Sequence, residues 1–242
     1  MMNQKILLAL QFWRGDEEAA MKRARLIADL EPRMSDSADF LFASRFDCTQ
    51  SVETIKYVSR KFQVHTHINR RRGTGFPSGC NDLFFGTADW VFTMSEAKRV
   101  PPYKAILFME GDSFPLHPGW IEALSADWDA ADAKVYGPFL TNGFKGAPGH
   151  INGNCFISGD KRFLHWLCRE KGGCSPSVGW DFLMYSEFVK WGAKDAPGMK
   201  SWWRTVDYTP AKYEELLAQG VSFLHGCKDD SLETLVRRKF KV

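Results

Sequence analysis

Ala105-Ile106-Leu107-Phe108-Met109-Glu110-Gly111-Asp112 stands near the middle of this 242-residue chain. Its five consecutive apolar residues form the most strand-like run in the chain, and a continuous apolar run is what a strand buried on both faces requires. The run stops at two carboxylates separated by one glycine. Upstream, Lys5 to Phe12 is a second such run. Asp16 then reads as the cap of a helix whose Ala20, Ala24, Ile27 and Leu30 share one face, and Pro32 stops that helix. Ala38 to Phe46 reads as a strand, Ser51 opens a helix with Val52, Ile55 and Phe62 inward, and Val64 to Asn69 reads as a third, shorter strand. A loop at Gly73 to Pro77 precedes a helix capped by Ser78 and running to about Val91.

Beyond Asp112, Pro118 suits the first turn of a helix with Ile121, Leu124 and Trp128 inward, and Lys134 to Leu140 reads as a strand. Alternating strands and helices predict an α/β layered fold, a mainly parallel sheet flanked by helices. Ligands of such folds gather beyond the carboxyl ends of the strands. Phe12 to Arg14, Arg45, Asn69 to Arg72 and Glu110 to Asp112 all fall at such ends.

The second half is less regular. Gly143 to Gly149 and Gly172 to Gly179 read as loops, and Asn152 to Ile157 as a strand leading to a helix capped by Asp160. Asp181 to Trp191 reads as a helix, and Ala193 to Thr209 as irregular chain. A helix from Tyr213 to Gln219 precedes a strand at Val221 to Leu224, a turn at His225-Gly226-Cys227-Lys228 and a last helix from Ser231.

Composition narrows the classes. A 44% hydrophobic and 25% charged chain can bury a sizeable core, which excludes general disorder. A net charge of +3 demands no nucleic-acid partner. Six cysteines without a Cys-x-x-Cys pair fit free thiols in a reducing, cytoplasmic compartment. No segment approaches the length of a membrane span. Nine Trp and nineteen Phe suit either a thick core or a cleft that stacks bases and sugars.

Glu110 and Asp112 offer the oxygen ligands that a hard divalent cation prefers, and Gly111 permits close approach. His225 could add a nitrogen ligand, which tilts the choice from Mg²⁺ toward Mn²⁺, and Lys228 a point charge for a diphosphate. Taken singly, the triplet is a common polar exit from a strand and His225 a solvated turn residue. Their pairing is what points to a site.

Phe108-Met109-Glu110-Gly111-Asp112 together with His225-Gly226 resembles the GT-A class of glycosyltransferases. That class carries an Asp-x-Asp-type motif at the end of a central strand and a late His that completes the metal site; here Glu110 replaces the first Asp. Asn152-Gly153-Asn154-Cys155-Phe156-Ile157 and Gly179-Trp180-Asp181 resemble its later elements. The resemblance implies one GT-A-like domain, with a nucleotide-sugar-binding half over residues 1–140 and an acceptor-binding half over 141–242. It implies metal-dependent transfer of a sugar from a nucleoside-diphosphate sugar, a UDP-sugar being favoured, to a hydroxyl of a glycan or a hydroxymethylated DNA base. Asp112, His225 and Glu110 would hold Mn²⁺ or Mg²⁺, with Asp112 the firmer carboxylate. Phe12, Arg14, Arg45, Arg72, Asp82, Gly111 and Lys228 would bind the donor. Asn152, Asn154 and Trp180 would bind the acceptor, and Asp181 is the candidate catalytic carboxylate, with a helix cap as its alternative role. The competing readings are a nucleotidyltransferase of the same fold, which the glycine-poor Phe12-Trp13-Arg14-Gly15-Asp16 disfavours, and a non-catalytic sugar- or DNA-binding module.

Overall fold

A computed structural model describes residues 4–71, 73–140, 149–170 and 177–242. Chain order is β1 (Ile6–Phe12), α1 (Glu17–Leu30), β2 (Ala38–Arg45), α2 (Val52–Val58), β3 (Gln63–Asn69), α3 (Ser78–Glu96), β4 (Ala105–Met109), β5 (Ser113–Pro115) and α4 (Trp120–Ala131). There follow β6 (Val135–Gly137), β7 (Phe139–Leu140), β8 (His150–Ile151), β9 (Phe156–Ser158), α5 (Lys161–Glu170), α6 (Trp180–Leu183) and α7 (Tyr185–Lys190). The chain closes with β10 (Lys194–Asp195), β11 (Met199–Thr205), α8 (Pro210–Ala218), β12 (Phe223–Cys227) and α9 (Ser231–Phe240).

The main sheet has the order β10-β6-β9-β4-β1-β2-β3. All its pairings are parallel except those of β9, which runs antiparallel to β4 and β6. The apolar runs explain why it lies at the centre. Successive side chains of a strand alternate between faces, so Ile6, Leu8, Leu10 and Phe12 of β1 enter one core, shared with Ala20, Ala24 and Ile27 of α1. Leu7 and Ala9 enter the opposite core, with Phe84, Phe85 and Ala88 of α3. β4 divides the same way, Leu107 and Met109 to one side and Ile106 and Phe108 to the other.

A second, three-stranded sheet, β11-β12-β5, stands beside the first. Its own core joins Phe114, Leu224 and Cys227 to Tyr213, Leu216, Leu232 and Val236 of α8 and α9, and to Leu26 and Leu30 of α1. α1 therefore bridges the two sheets, because its apolar residues extend around more than one face.

Several expectations are corrected. Asp16 stands at the N-cap of α1, but its carboxylate makes no cap bond and instead accepts from Trp13 N–H at 2.7 Å. Val52, the first residue of α2, is exposed, whereas Ile55 packs against the core and Phe62 is buried in it, together with Val58. Ser78 begins α3 without capping it, and that helix runs on to Glu96. Pro118 lies outside α4, which starts after Gly119. Lys134 to Leu140 divides into β6 and β7, in different sheets. Only Phe156 onward of the 152–157 segment is strand. The helix read over 181–191 breaks at Met184, and the stretch read as irregular contains β10 and the seven-residue β11. His225 is not in a turn but inside β12. Most of the two glycine-bearing loops, at 143–148 and 172–176, lies outside the described residues.

Glu31, just after α1, gives the fold a pH dependence. Its side chain is buried, its Oε1 has no hydrogen-bond partner, and burial pushes its carboxyl up to about 7, with Glu122 adding to the rise and Lys61 opposing it. A raised carboxyl favours the fold while protonated in both states, below about 4.5, and that contribution is lost as pH rises through 7. Glu31→Gln is therefore expected to be more stable than the parent at pH 8, by roughly 1–3 kcal/mol, and no more stable at pH 4. Thermal melting of the two proteins across that range checks it.

Candidate functional site

The site begins where β4 ends. Glu110 opens a tight turn: Ser113 N–H donates to its carbonyl at 3.0 Å, and its own N–H donates to Ser113 Oγ and to Asn154 Oδ1, both at 3.0 Å. The chain then reverses into β5, which pairs antiparallel with β12 so that Ser113 faces His225. Gly226 N–H donates to the Asp112 carbonyl at 3.1 Å. The register thus carries a histidine from more than a hundred residues away onto the two carboxylates. Gly226 has φ 104°, a region that favours glycine, and the bend there turns the chain toward Lys228. Gly111 is constrained differently: a Cβ there would sit 3.0 Å from the Ala20 nitrogen of α1.

His225 Nε2 lies 3.2 Å from Glu110 Oε2 and 3.4 Å from Asp112 Oδ1. One ligand atom from each residue lies within 4.8 Å of the others. Adjacent ligands of an octahedral cation with bonds near 2.1 Å are separated by about 3 Å, so this donor set fits a divalent ion in size and chemistry. The other imidazole nitrogen, Nδ1, is 3.1 Å from Ser201 Oγ of β11, the kind of outer contact that orients a metal-binding histidine. Lys228 Nζ pairs with Asp112 Oδ2 on the far side.

Electrostatics follow from the geometry. Burial works to raise the Asp112 carboxyl, but the hydrogen bonds and charges of His225 and Lys228 outweigh it and hold the group far below the usual carboxylate range. Burial likewise works against charge on His225, yet Asp112 and Glu110 raise its imidazole to about 9. A cation that takes Nε2 as ligand must displace that proton. Asp16 is pushed up to about 7, chiefly by burial, which the Trp13 N–H bond opposes and Glu110 and Asp112 reinforce.

A cleft of about 440 Å³ opens here, lined in part by Gly15, Asp16, Lys22, Glu110, Asp112 and Lys228. On the opposite flank, Gly153 lies between Glu110 and Trp180: a Cβ on it would be 3.9 Å from Glu110 Oε1 and 3.6 Å from Trp180 Cζ2. Asp181 follows. Burial pushes its carboxyl up to about 6; its bond from Phe182 N–H opposes that, Glu110 adds to it and His225 lowers it. The negative cluster and Asp181 therefore sense one another.

The other expected residues fall into distinct places. The Phe12 ring is fully buried in the core, edge-on to Phe42, and is not on the cleft. Arg14 is exposed on the turn after β1. Arg45 forms a two-pronged pair with Asp47, and its guanidinium lies 5.5 Å from the exposed Trp13 ring. Asp82 accepts from Gly73 N–H at 2.8 Å and holds the loop before α3. Arg72 lies outside the described residues. Asn152 accepts from Asn154 N–H at 2.9 Å, and Asn154 in turn supports the Glu110 turn, so both amides serve the carboxylate loop. Trp180 is buried with one face stacked on Phe84 at 3.5 Å. Sequence reasoning missed Ser113 and Ser201, hydroxyls whose role appears only once the second sheet is assembled. It also missed Asn81 of α3, which accepts from Trp180 N–H at 2.7 Å and donates to the Val178 carbonyl at 3.0 Å.

No family model matches the chain, and no curated protein matches it in sequence. Solved structures do match in shape. A glycosyltransferase involved in glycosylation of the major capsid of PBCV-1 aligns over 98% of this chain and 100% of its own, with a TM-score of 0.53 and 13% identity. The galactosyltransferase LgtC, solved with donor and acceptor sugar analogues, aligns over 96% and 95%, with a TM-score of 0.55 and 9% identity. Mouse xyloside xylosyltransferase 1 aligns over 92% and 97%, with a TM-score of 0.50 and 12% identity. The chain has the GT-A fold. Among the described residues no helix is long and apolar enough to cross a membrane.

Ligand that binds only the native state raises its stability, by about 2.7 kcal/mol at a hundredfold excess over Kd. Mn²⁺ together with UDP is expected to raise the melting temperature by about 5–10 °C. In Asp112→Asn and His225→Asn that shift is expected to fall below about 2 °C. Differential scanning calorimetry with and without EDTA checks it.

Proposed function

We propose that the protein is a metal-dependent glycosyltransferase that moves a sugar from a nucleoside-diphosphate sugar, UDP-sugars favoured, to a hydroxyl acceptor. The observation that carries this reading is the convergence of Glu110, Asp112 and His225 at the end of β4, on a cleft that Lys228 also lines. The GT-A fold supports it.

Mn²⁺ or Mg²⁺ held there would supply positive charge for a diphosphate leaving group. Asp112, held ionised, and His225, oriented by Ser201, would be its firmer ligands, and Glu110 the more exposed one. Lys228, released from Asp112 in part when the diphosphate arrives, adds a second cationic contact to the leaving group. Ser113 and Asn154 fix the turn that carries both carboxylates, so that the site is formed before substrate binds.

Asp181 serves the acceptor. Its carboxyl, raised to about 6, ionises close to neutral pH, where a carboxylate can accept the proton of an attacking hydroxyl or hold that hydroxyl in line. The nucleotidyltransferase alternative finds no support, because the turn after β1 lacks the glycines that would cradle a triphosphate.

Incubation with UDP-glucose and UDP-galactose in Mn²⁺ should release UDP, and chelation should stop it. Asp112→Ala and His225→Ala are each expected to lower kcat/KM by about 10²–10³, and Lys228→Ala by about 10–100-fold. Release that persists in EDTA and in Asp112→Ala would sink the metal assignment.

A further inference from the structure

Among the described residues Phe76 is the most exposed large apolar side chain, at 71%. Leaving a Phe in water forgoes about 1.5–3 kcal/mol of burial. Here the ring stands beside the site rather than at random on the surface. A Cβ on Gly179 would run into Asp181 Oδ1 and would lie 3.3 Å from both Cε2 and Cζ of Phe76. The exposed ring and the Asp181 carboxylate therefore flank one bare backbone position, which only a residue without a side chain leaves open.

The pairing is held, not accidental. Phe76 stands one residue before the start of α3, separated from it by Pro77, and Asn81 in the first turns of α3 accepts from the Trp180 N–H and donates to the Val178 carbonyl. Asn81 is itself buried. The loop bearing the ring and the segment bearing the acid are thus bonded through one amide. Trp180, expected to bind the acceptor, is buried with one face on Phe84, so among the described residues Phe76 is the exposed ring beside Asp181.

A flat apolar face beside a carboxylate suits a pyranose ring, which presents a patch of C–H groups on its face and hydroxyls around its rim. The surroundings select further. The acid directly beside the ring is Asp181, and a carboxylate there accepts a hydroxyl of a neutral sugar but repels a phosphate set in the same place. Resting on the transferase reading above, we propose that Phe76 is the platform on which a neutral pyranose acceptor docks, its ring face on the phenyl and one hydroxyl directed to Asp181. The substrate class is then a glycan terminus, and Asn81 is the positioning residue that holds platform and acid together.

The test uses the full chain with Mn²⁺, UDP-glucose or UDP-galactose, and two kinds of acceptor: methyl pyranosides of glucose, galactose and mannose, and an oligonucleotide bearing 5-hydroxymethylcytosine. Transfer to at least one glycoside is expected. Phe76→Ala should raise the acceptor KM about tenfold while the donor KM moves less than twofold, and Phe76→Trp should restore the acceptor KM to within about threefold. Equal acceptor KM in Phe76→Ala and the parent overturns the proposal, as does transfer to the oligonucleotide alone. Donor hydrolysis with transfer to no glycoside overturns it too, while sparing the transferase reading. Absence of both hydrolysis and transfer overturns the two together.

Discussion

The antiparallel pairing of β12 with β5 is the constraint on which the rest of the site depends. β5 is only three residues long and starts one residue after Asp112, so whatever faces Ser113 is delivered to the carboxylates. His225 faces it, and Leu224 and Phe223 continue the ladder opposite Phe114 and Pro115. Leu224 and Phe114 are buried in a core of their own, together with α8, α9 and one side of α1, while Phe223 points into the main core. A slip of one residue would move every side chain of β12 to the other face and take the imidazole away from Asp112. The burial of Leu224 and Phe114 thus determines where His225 points.

Around this register the polar groups form a hierarchy. Asp112, His225 and Lys228 are an alternating run of charges in which each member offsets the burial of the next. Ser201 on one side and Asn154 with Ser113 on the other orient the two strands' contributions without touching the cleft themselves. Asn154 Nδ2 has no hydrogen-bond partner although it is buried, a cost accepted because Oδ1 is needed at the Glu110 N–H. Glycines at 111, 153 and 179 open the same region: each leaves room where a side chain would meet α1, Trp180 or Asp181.

How much of this was legible depended on the range of the interactions. The central strands announce themselves through local composition: a run such as Leu7-Leu8-Ala9-Leu10 is apolar at every position because both faces are covered, and no distant partner need be known. Glu110 and Asp112 were legible for the same reason, as an abrupt polar end to such a run. β11 was not, since Met199 to Thr205 mixes Lys200 and Ser201 with tryptophans and becomes a strand only by pairing with β12. His225 is legible as a candidate ligand but reads as a turn residue, because Gly226 signals a bend that here falls within the strand. Phe12 misled in the other way: its position at a strand end was right, but alternation directs its ring into the core. Asn152 and Asn154 were located correctly near the site, yet what their amides bond could not be inferred without the Glu110 turn.

The central claim is that Glu110, Asp112 and His225 hold one divalent ion. Electron spin-echo spectroscopy of the Mn²⁺-loaded protein with UDP tests it most directly, because it reports nitrogen bonded to the manganese. Coupling to one imidazole nitrogen is expected in the parent protein and its loss in His225→Gln. Bound manganese without nitrogen coupling, or coupling that survives in His225→Gln, would contradict it.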